Sequence, residues 1–263
     1  MAVAELPNGL RMHYRDQGQG DPLVLLHGLG SSGLDWEHQI PAFAEHYQVI
    51  APDLRGSGDS DKPRGPYKVG QFADDVWQLL DTLGIPSARL VGLSMGGATA
   101  FEMAARQPDR VRALVVVNCP PDFSITSLRK LLEVAMRLVV VQCLGMQRMA
   151  TMIGDRLFPD ADQAELRETF VQRYGANRKR EYLWSLRSLP GWSVTDRLGR
   201  IDCPALMVAA ANDYTPVAEK QVAVDALPRG ELSVVDNSRH ATPIDSPDRF
   251  NSLVLDFLQR QGA

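Results

Sequence analysis

Two periodicities share this chain. Short apolar runs at residues 10–14, 23–27, 48–51, 89–93, 112–117, 205–210 and 231–235 are rich in Leu, Val and Ala. Several are continuously apolar, and a strand without alternation must be covered on both faces, as in a mostly parallel sheet. Between them, at 71–83, 98–106, 218–226 and 247–259, apolar residues recur at helical spacing. Strand and helix in alternation predict an α/β layer architecture.

The alternation breaks once. From 119 to 203 only helical signals occur, at 127–152, 162–174 and 180–186, with Pro190 and Gly191 as punctuation. Helices inserted between two strands do not extend a sheet, so they are expected to cover one edge as a cap. This divides the chain into a core at 1–119 and 203–263 and a helical cap at 120–202, inserted before the penultimate strand. The most apolar stretch, 131–144, contains Glu133 and Arg137. It falls short of the roughly 20 residues a membrane helix needs and reads as a buried or semi-buried cap helix.

Composition narrows the function classes. Of 263 residues, 44% are hydrophobic and 23% charged, ordinary values for a globular chain, and the net charge of −4 arises from interspersed signs. Nothing in this pattern attracts a nucleic-acid backbone, and the densest basic cluster, Arg178, Lys179 and Arg180, reads as a solvated helix face. Cys119, Cys143 and Cys203 are an odd, widely spaced set that forms neither a disulfide framework nor a zinc pair, so they read as small apolar fillers. Residues 1–15 carry no secretory signal, from which a cytoplasmic location is expected.

The chemistry concentrates at strand ends. The run at 89–93 leads directly into Gly92, Leu93, Ser94, Met95, Gly96 and Gly97, the Gly-x-Ser-x-Gly turn from strand to helix. A turn this tight holds its serine in a strained backbone and tolerates only glycine where the chain passes close to itself. It lifts the Ser94 hydroxyl above the sheet at a helix N-terminus, where free amides favour negative charge. Such a serine needs a base, and the chain has five histidines: His13, His27, His38, His46 and His240. His13 lies on the first strand, His38 and His46 lie in or at the end of a helix expected over 35–45, and His27 reads as a loop anchor. His240 follows the last strand at the carboxyl edge of the sheet, where open α/β sheets bind ligands. Asp213 follows the 205–210 strand and is placed to accept the imidazole Nδ1 proton. Asp122 is the rival acid, since the strand before it ends at the uncharged Asn118.

These pieces, with His27-Gly28-Leu29-Gly30 and the 53–60 segment Asp-Leu-Arg-Gly-Ser-Gly-Asp-Ser, resemble the α/β-hydrolase superfamily over nearly the whole chain. The resemblance implies a triad of Ser94, Asp213 and His240 in that order, and an oxyanion hole from the backbone amides of Leu29 and Met95. It implies attack on an ester carbonyl, an acyl-enzyme and its hydrolysis by water, with no metal and no cofactor. The 53–60 loop is structural in such families, with Asp53 and Arg55 expected to tie the turn. Ala210 and Arg239 depart from the glycines common at those positions.

Within the superfamily the chain is similar to small carboxylesterases and to enol-lactonases, with carbon-carbon bond hydrolases as a third group. A serine at the elbow argues against the carboxylate nucleophile of dehalogenases and epoxide hydrolases. The expected partner is a small ester or lactone, not nucleic acid or membrane, and the oligomeric state is not legible. Leu29, Met95 and Trp184 are the expected substrate contacts, and Met136, Met146, Met149, Met152, Phe158 and Trp192 give the cap soft or aromatic surface, at least half of it for packing. A ligand receptor on the same fold is the alternative of another class; it would bind ligand and leave every ester uncut.

Overall fold

The apolar runs hydrogen-bond into one eight-stranded sheet in the order β1-β2-β4-β3-β5-β6-β7-β8. The computed structural model describes residues 1–261. Its strands are β1 (Ala2–Glu5), β2 (Arg11–Gln17), β3 (Pro22–Leu26), β4 (Gln48–Pro52), β5 (Ala88–Leu93), β6 (Val111–Val117), β7 (Ala205–Ala210) and β8 (Gly230–Val235). Only β1 and β2 run antiparallel to their neighbours, and the pairs from β4 through β8 are parallel. The apolar-run signal does not extend to β1: it is a four-residue edge strand of which only Ala4 is buried.

Parallel strands need crossovers, and the helices that supply them cover both faces of the sheet. The helices of the core are α1 (Gln39–Ala44), α2 (Val69–Thr82), α3 (Met95–Arg106), α7 (Val217–Ala226), α8 (Thr242–Asp245) and α9 (Pro247–Arg260). Successive strand residues point to opposite faces, so Val24, Leu26, Leu90, Leu114 and Val116 pack with α2, α3 and α7. Their neighbours Leu23, Leu25, Val91, Val115 and Val117 pack with α1 and α9. In α9 the buried residues Phe250, Val254, Phe257 and Leu258 fall at helical spacing and form one stripe against the sheet. The helix expected over 35–45 is instead a 3-10 turn, Gly33–Trp36, followed by α1. Pro41 accounts for the break, because its ring excludes the carbonyl four residues earlier from helical hydrogen bonding.

Between β6 and β7 the described chain holds only helices: α4 (Leu128–Leu157), α5 (Ala164–Gly175), α6 (Lys179–Leu186) and short 3-10 turns. These helices fall within the segment 120–202 expected as a cap, and that name is kept for it below. Ser127 caps α4 by accepting from the Lys130 amide at 3.2 Å. The helix breaks at Gly145, whose φ of 82° and ψ of 178° leave the helical region. The base of the cap is tied down by Phe123 N–H to Trp192 O at 2.8 Å, and by Glu102 of α3, which accepts from Trp192 Nε1 at 3.0 Å and pairs with Arg197 at 2.8 Å. The apolar stretch 131–144 is less buried than its composition suggests. Val140 and Val141 are buried, whereas Leu131, Leu132, Met136, Val139 and Leu144 are exposed. Cys143 shares that exposed face and so is no filler, unlike the buried Cys119. Among the described residues no helix is long and apolar enough to cross a membrane.

The 53–60 loop links β4 to the site. Asp53 accepts from the Gly33 amide at 2.8 Å through Oδ1 and from the Asp59 amide at 2.9 Å through Oδ2, while the Ser60 hydroxyl donates to its carbonyl at 2.6 Å. Gly58, at φ 47°, leaves no room for a Cβ beside that carboxylate. Arg55 does not tie the turn; its guanidinium reaches α2 and pairs with the buried Asp75. Asp53→Ala orphans the buried Gly33 amide and removes the acceptor of the part-buried Asp59 amide. It is expected to cost about 3 kcal/mol, measurable as a lower denaturant midpoint at unchanged m-value.

Candidate active site

Ser94 occupies the turn from β5 to α3 with φ 54° and ψ −112°, a conformation a side-chain-bearing residue adopts only under constraint. Its amide donates to Val117 O of β6 at 2.9 Å, and its carbonyl accepts from Ala98 N of α3 at 2.9 Å, so both neighbours hold it there. A Cβ on Gly92 would sit 2.3 Å from Gly96 O, and one on Gly96 would sit 2.0 Å from Leu26 O. Glycine at these positions is a consequence of backbone crossing backbone. Ser94 itself is half-buried and lines a cavity of about 210 Å³ between the sheet edge and the cap.

His240 lines the same cavity, and its Nδ1 lies 2.8 Å from Asp213 Oδ1. A buried carboxylate accepts, so Nδ1 carries the proton and Nε2 is left with its lone pair free. The Asp213 side chain is fully buried and its other oxygen meets the fully buried Lys220 ammonium of α7 at 2.7 Å, with the Thr215 hydroxyl donating to the same oxygen. Burial alone would push the Asp213 carboxyl up, but the His240 imidazole and the Lys220 ammonium outweigh it and hold the group well below the usual carboxylate range. Asp122 makes no hydrogen bond to His240 among the described residues; it accepts from Ser124 N at 2.7 Å and bridges to Ser193 at the base of the cap.

The other candidate donors flank the serine. Leu29 lines the cavity, and Gly28 approaches the elbow so closely that a Cβ there would lie 3.8 Å from Ser94 Cβ. The Leu29 and Met95 amides donate to no protein acceptor among the described residues. His27 holds this loop as expected of an anchor: Leu54 N–H donates to Nε2 at 3.0 Å and Nδ1 donates to Gly28 O at 2.8 Å. The cap reaches the same loop through Asn177 Nδ2, which donates to Gly30 O at 2.7 Å.

Two of the three expected substrate contacts need correction. The Met95 side chain is fully buried in the core beneath the elbow, leaving only its backbone at the site. Trp184 stands apart from the cavity, packed on Gly65 and edge-on to Tyr67 at 5.7 Å between ring centroids. Leu186 of the same helix lines the cavity, and two residues at about 100° each place Trp184 on nearly the opposite side. Of the soft and aromatic cap residues, Met136 lines the cavity, while Met146, Met149 and Phe158 are buried in the cap's own clusters.

Several residues that matter here carried no recognisable signal. Asn118, at φ 48° just past β6, accepts from Ala210 N at 2.8 Å. Its Nδ2 donates to His240 O at 2.9 Å and to Thr242 Oγ1 at 2.8 Å. The uncharged residue set aside as an acid thus positions the histidine loop. Arg239 is held by its amide to Asp245 at 2.7 Å and by its guanidinium to Asp160 of the cap at 3.3 Å. Tyr214 stacks on the His240 ring at 4.1 Å and 30°. Asp35, bonded by the Ser31 hydroxyl, also lines the cavity, and burial pushes its carboxyl up to about 7.

Removing Lys220 tests the electrostatics behind the histidine. Because the folded pKa of Asp213 lies below its unfolded value, its contribution is complete above the ordinary carboxylate range and drains away as pH falls through and below it. Lys220→Met strips a buried carboxylate of its ion-pair partner and is expected to cost about 3 kcal/mol at pH 7. The deficit relative to wild type should shrink as pH drops below about 4, read from thermal or urea midpoints across pH.

The comparisons with known proteins agree with this architecture. A family model described as alpha/beta hydrolase fold matches residues 21–247. The 3-oxoadipate enol-lactonase 2 of Acinetobacter baylyi is 30% identical over 255 residues, covering 95% of this chain and 93% of that protein. The (E)-2-((N-methylformamido)methylene)succinate hydrolase of the same organism is 26% identical, covering 97% of each chain. Among solved structures, the enol-lactonase from Burkholderia xenovorans LB400 matches with a TM-score of 0.90 at 28% identity, over 98% of this chain and 100% of that one. With the strand order, the strained serine turn and a full-length relative in accord, the chain belongs to the alpha/beta hydrolase fold family.

Proposed function

We propose that this protein is a serine hydrolase that opens carboxylic ester bonds of small molecules through an acyl-enzyme on Ser94, with His240 as general base and Asp213 orienting it. The observation that carries the reading is the 2.8 Å contact from His240 Nδ1 to Asp213 in the cavity that Ser94 also lines. In this reading Ser94 Oγ attacks the carbonyl carbon as its proton passes to His240 Nε2, and the carbonyl π electrons move onto oxygen. The imidazolium is stabilised by the Asp213 carboxylate, whose charge the site maintains at every physiological pH.

The oxyanion is received by the Leu29 and Met95 amides, each of which contributes about 10² or more in rate when aimed at that oxygen. Collapse breaks the bond to the leaving oxygen, which takes the proton from His240. Water then repeats the sequence against the acyl-enzyme, returning the Ser94 hydroxyl and releasing the acid.

A lactone is a second substrate form of the same reaction, and the full-length likeness to an enol-lactonase favours it. The alcohol then stays tethered to the acyl group and leaves with it after deacylation. A panel of nitrophenyl acetate and butyrate alongside five- and six-membered lactones separates the two forms by their kcat/KM values. Ser94→Ala is expected to reduce turnover of every active substrate by at least about 10⁴-fold with an unchanged melting temperature. Full activity in that variant would end the proposal.

A further inference from the structure

The loop that carries the Leu29 amide is held from two sides, and one of them is the cap. A trans peptide is planar, with its C=O and N–H pointing in opposite directions, so whatever holds the Gly28 carbonyl also aims the Leu29 amide. His27 Nδ1 donates to that carbonyl at 2.8 Å from the core side. On the other side of Leu29 stands Gly30, at φ 74°, where a residue without a side chain lets the chain swing unless the next carbonyl is held as well. That carbonyl accepts from Asn177 Nδ2 at 2.7 Å, and Asn177 belongs to the cap, two residues past the end of α5.

The surroundings fix Asn177 in this role. It is half-buried, and its Nδ2 also donates to Tyr174 O at 2.9 Å, which sets the plane of the side-chain amide. The Tyr174 ring packs on Gly30 so closely that a Cβ there would lie 2.5 Å from Cε2, and its hydroxyl donates to Tyr182 at 2.9 Å within the cap's buried cluster. Leu29 itself packs against the core cluster and the cap cluster alike. One turn before Asn177, Arg173 pairs with both oxygens of Glu37, at 2.8 and 3.0 Å, where the 3-10 turn after the loop ends. The end of α5 thus clasps residues 30–37 at three points. Asn177 is not among the residues that line the Ser94 cavity, so any influence it has on turnover passes through the loop.

We infer that Asn177 is a positioning residue for the oxyanion hole: by fixing the Gly30 carbonyl it keeps the Leu29 amide aimed at the oxygen that becomes charged, so the cap contributes to rate at the reacting bond. The inference rests on the Ser94 reading. A donor that swings off the oxyanion forfeits part of the roughly 10²- to 10³-fold in rate that one well-aimed donor contributes. The forfeit falls where the oxygen is charged, in the transition state, so it belongs in kcat and leaves KM nearly as it was.

The test uses nitrophenyl butyrate and a matched inhibitor pair, trifluoromethyl butyl ketone and the corresponding secondary alcohol. Ser94 Oγ adds to the ketone carbon as its proton passes to His240 and the π electrons move onto oxygen, which leaves an oxyanion in the hole. The alcohol fills the same space and forms none. In Asn177→Leu, similar in size and unable to donate, kcat is expected to fall about tenfold or more while KM stays within about twofold. The ketone should lose affinity relative to the alcohol by the same factor as kcat. Asn177→Ser, too short to reach the Gly30 carbonyl, should behave alike and serves if Asn177→Leu does not fold. The inhibitor pair reads the hole without turnover, so it decides the matter even where the butyrate is a poor substrate. A loss of kcat at an unchanged ketone-to-alcohol ratio, a loss confined to KM, or wild-type behaviour in a folded variant overturns the inference. If the wild-type protein neither cuts the ester nor prefers the ketone to the alcohol, the Ser94 reading falls and the inference with it. If the wild type does both and the Asn177 variants keep both, the inference alone falls.

Discussion

One side-chain amide ties the end of β7 to the loop after β8. Asn118 turns away from β6 in a left-handed conformation, accepts from the backbone of β7 and donates into the loop that carries His240. Asp213 comes from the loop after β7 and His240 from the loop after β8, so neither strand pairing alone fixes their separation. A single planar amide that touches both does. Its four partners, Ala210 N, Arg239 O, His240 O and Thr242 Oγ1, all belong to buried or half-buried residues.

The same logic extends inward. Asp213 is shared between His240 and Lys220, and the buried lysine makes the carboxylate an obligate anion. Without Lys220 only the contact with His240 would oppose the penalty of burial. Asn118 and Lys220 thus divide the work: one fixes where the imidazole hangs, the other fixes the charge it hangs from.

Most of the core was legible because its physics is local. Runs such as 205–210 and 112–117 are apolar on both faces, which only a covered parallel strand requires, and the glycines around Ser94 announce a backbone crossing. Ser94 follows from its glycine turn, and Asp213 and His240 from their strand ends together with the order the resemblance implies; the fold brings Ser94 and His240 to one cavity with Asp213 against the imidazole. What stayed hidden depends on pairs distant in sequence. Nothing local marks Lys220 as buried, since its helix carries little amphipathic pattern and its partner lies in the preceding loop. Trp184 was misplaced because composition names an aromatic and says nothing of its direction; the facing of α6 is set by Tyr182, Leu183 and Leu186, which pack on α4 and α5. The exposed stretch at 131–144 misled for the same reason, since hydrophobicity without a packing partner predicts burial that the cap does not provide.

The break at Gly145 separates α4 into two pieces that differ in burial. Before Val140 its residues are half-buried or exposed, and Arg129, Lys130, Glu133, Met136 and Arg137 face the cavity from there. Beyond the break, Met146, Met149 and Ala150 form the cap's own apolar cluster with Tyr174 and Tyr182. Both pieces line the cavity, the second through Ile153, Arg156 and Leu157, but the three turns before Val140 contribute no buried residue to that cluster. Selectivity in such a molecule can drift by substitution in three helical turns at little expense to stability, which is the condition under which one scaffold diversifies across many substrates.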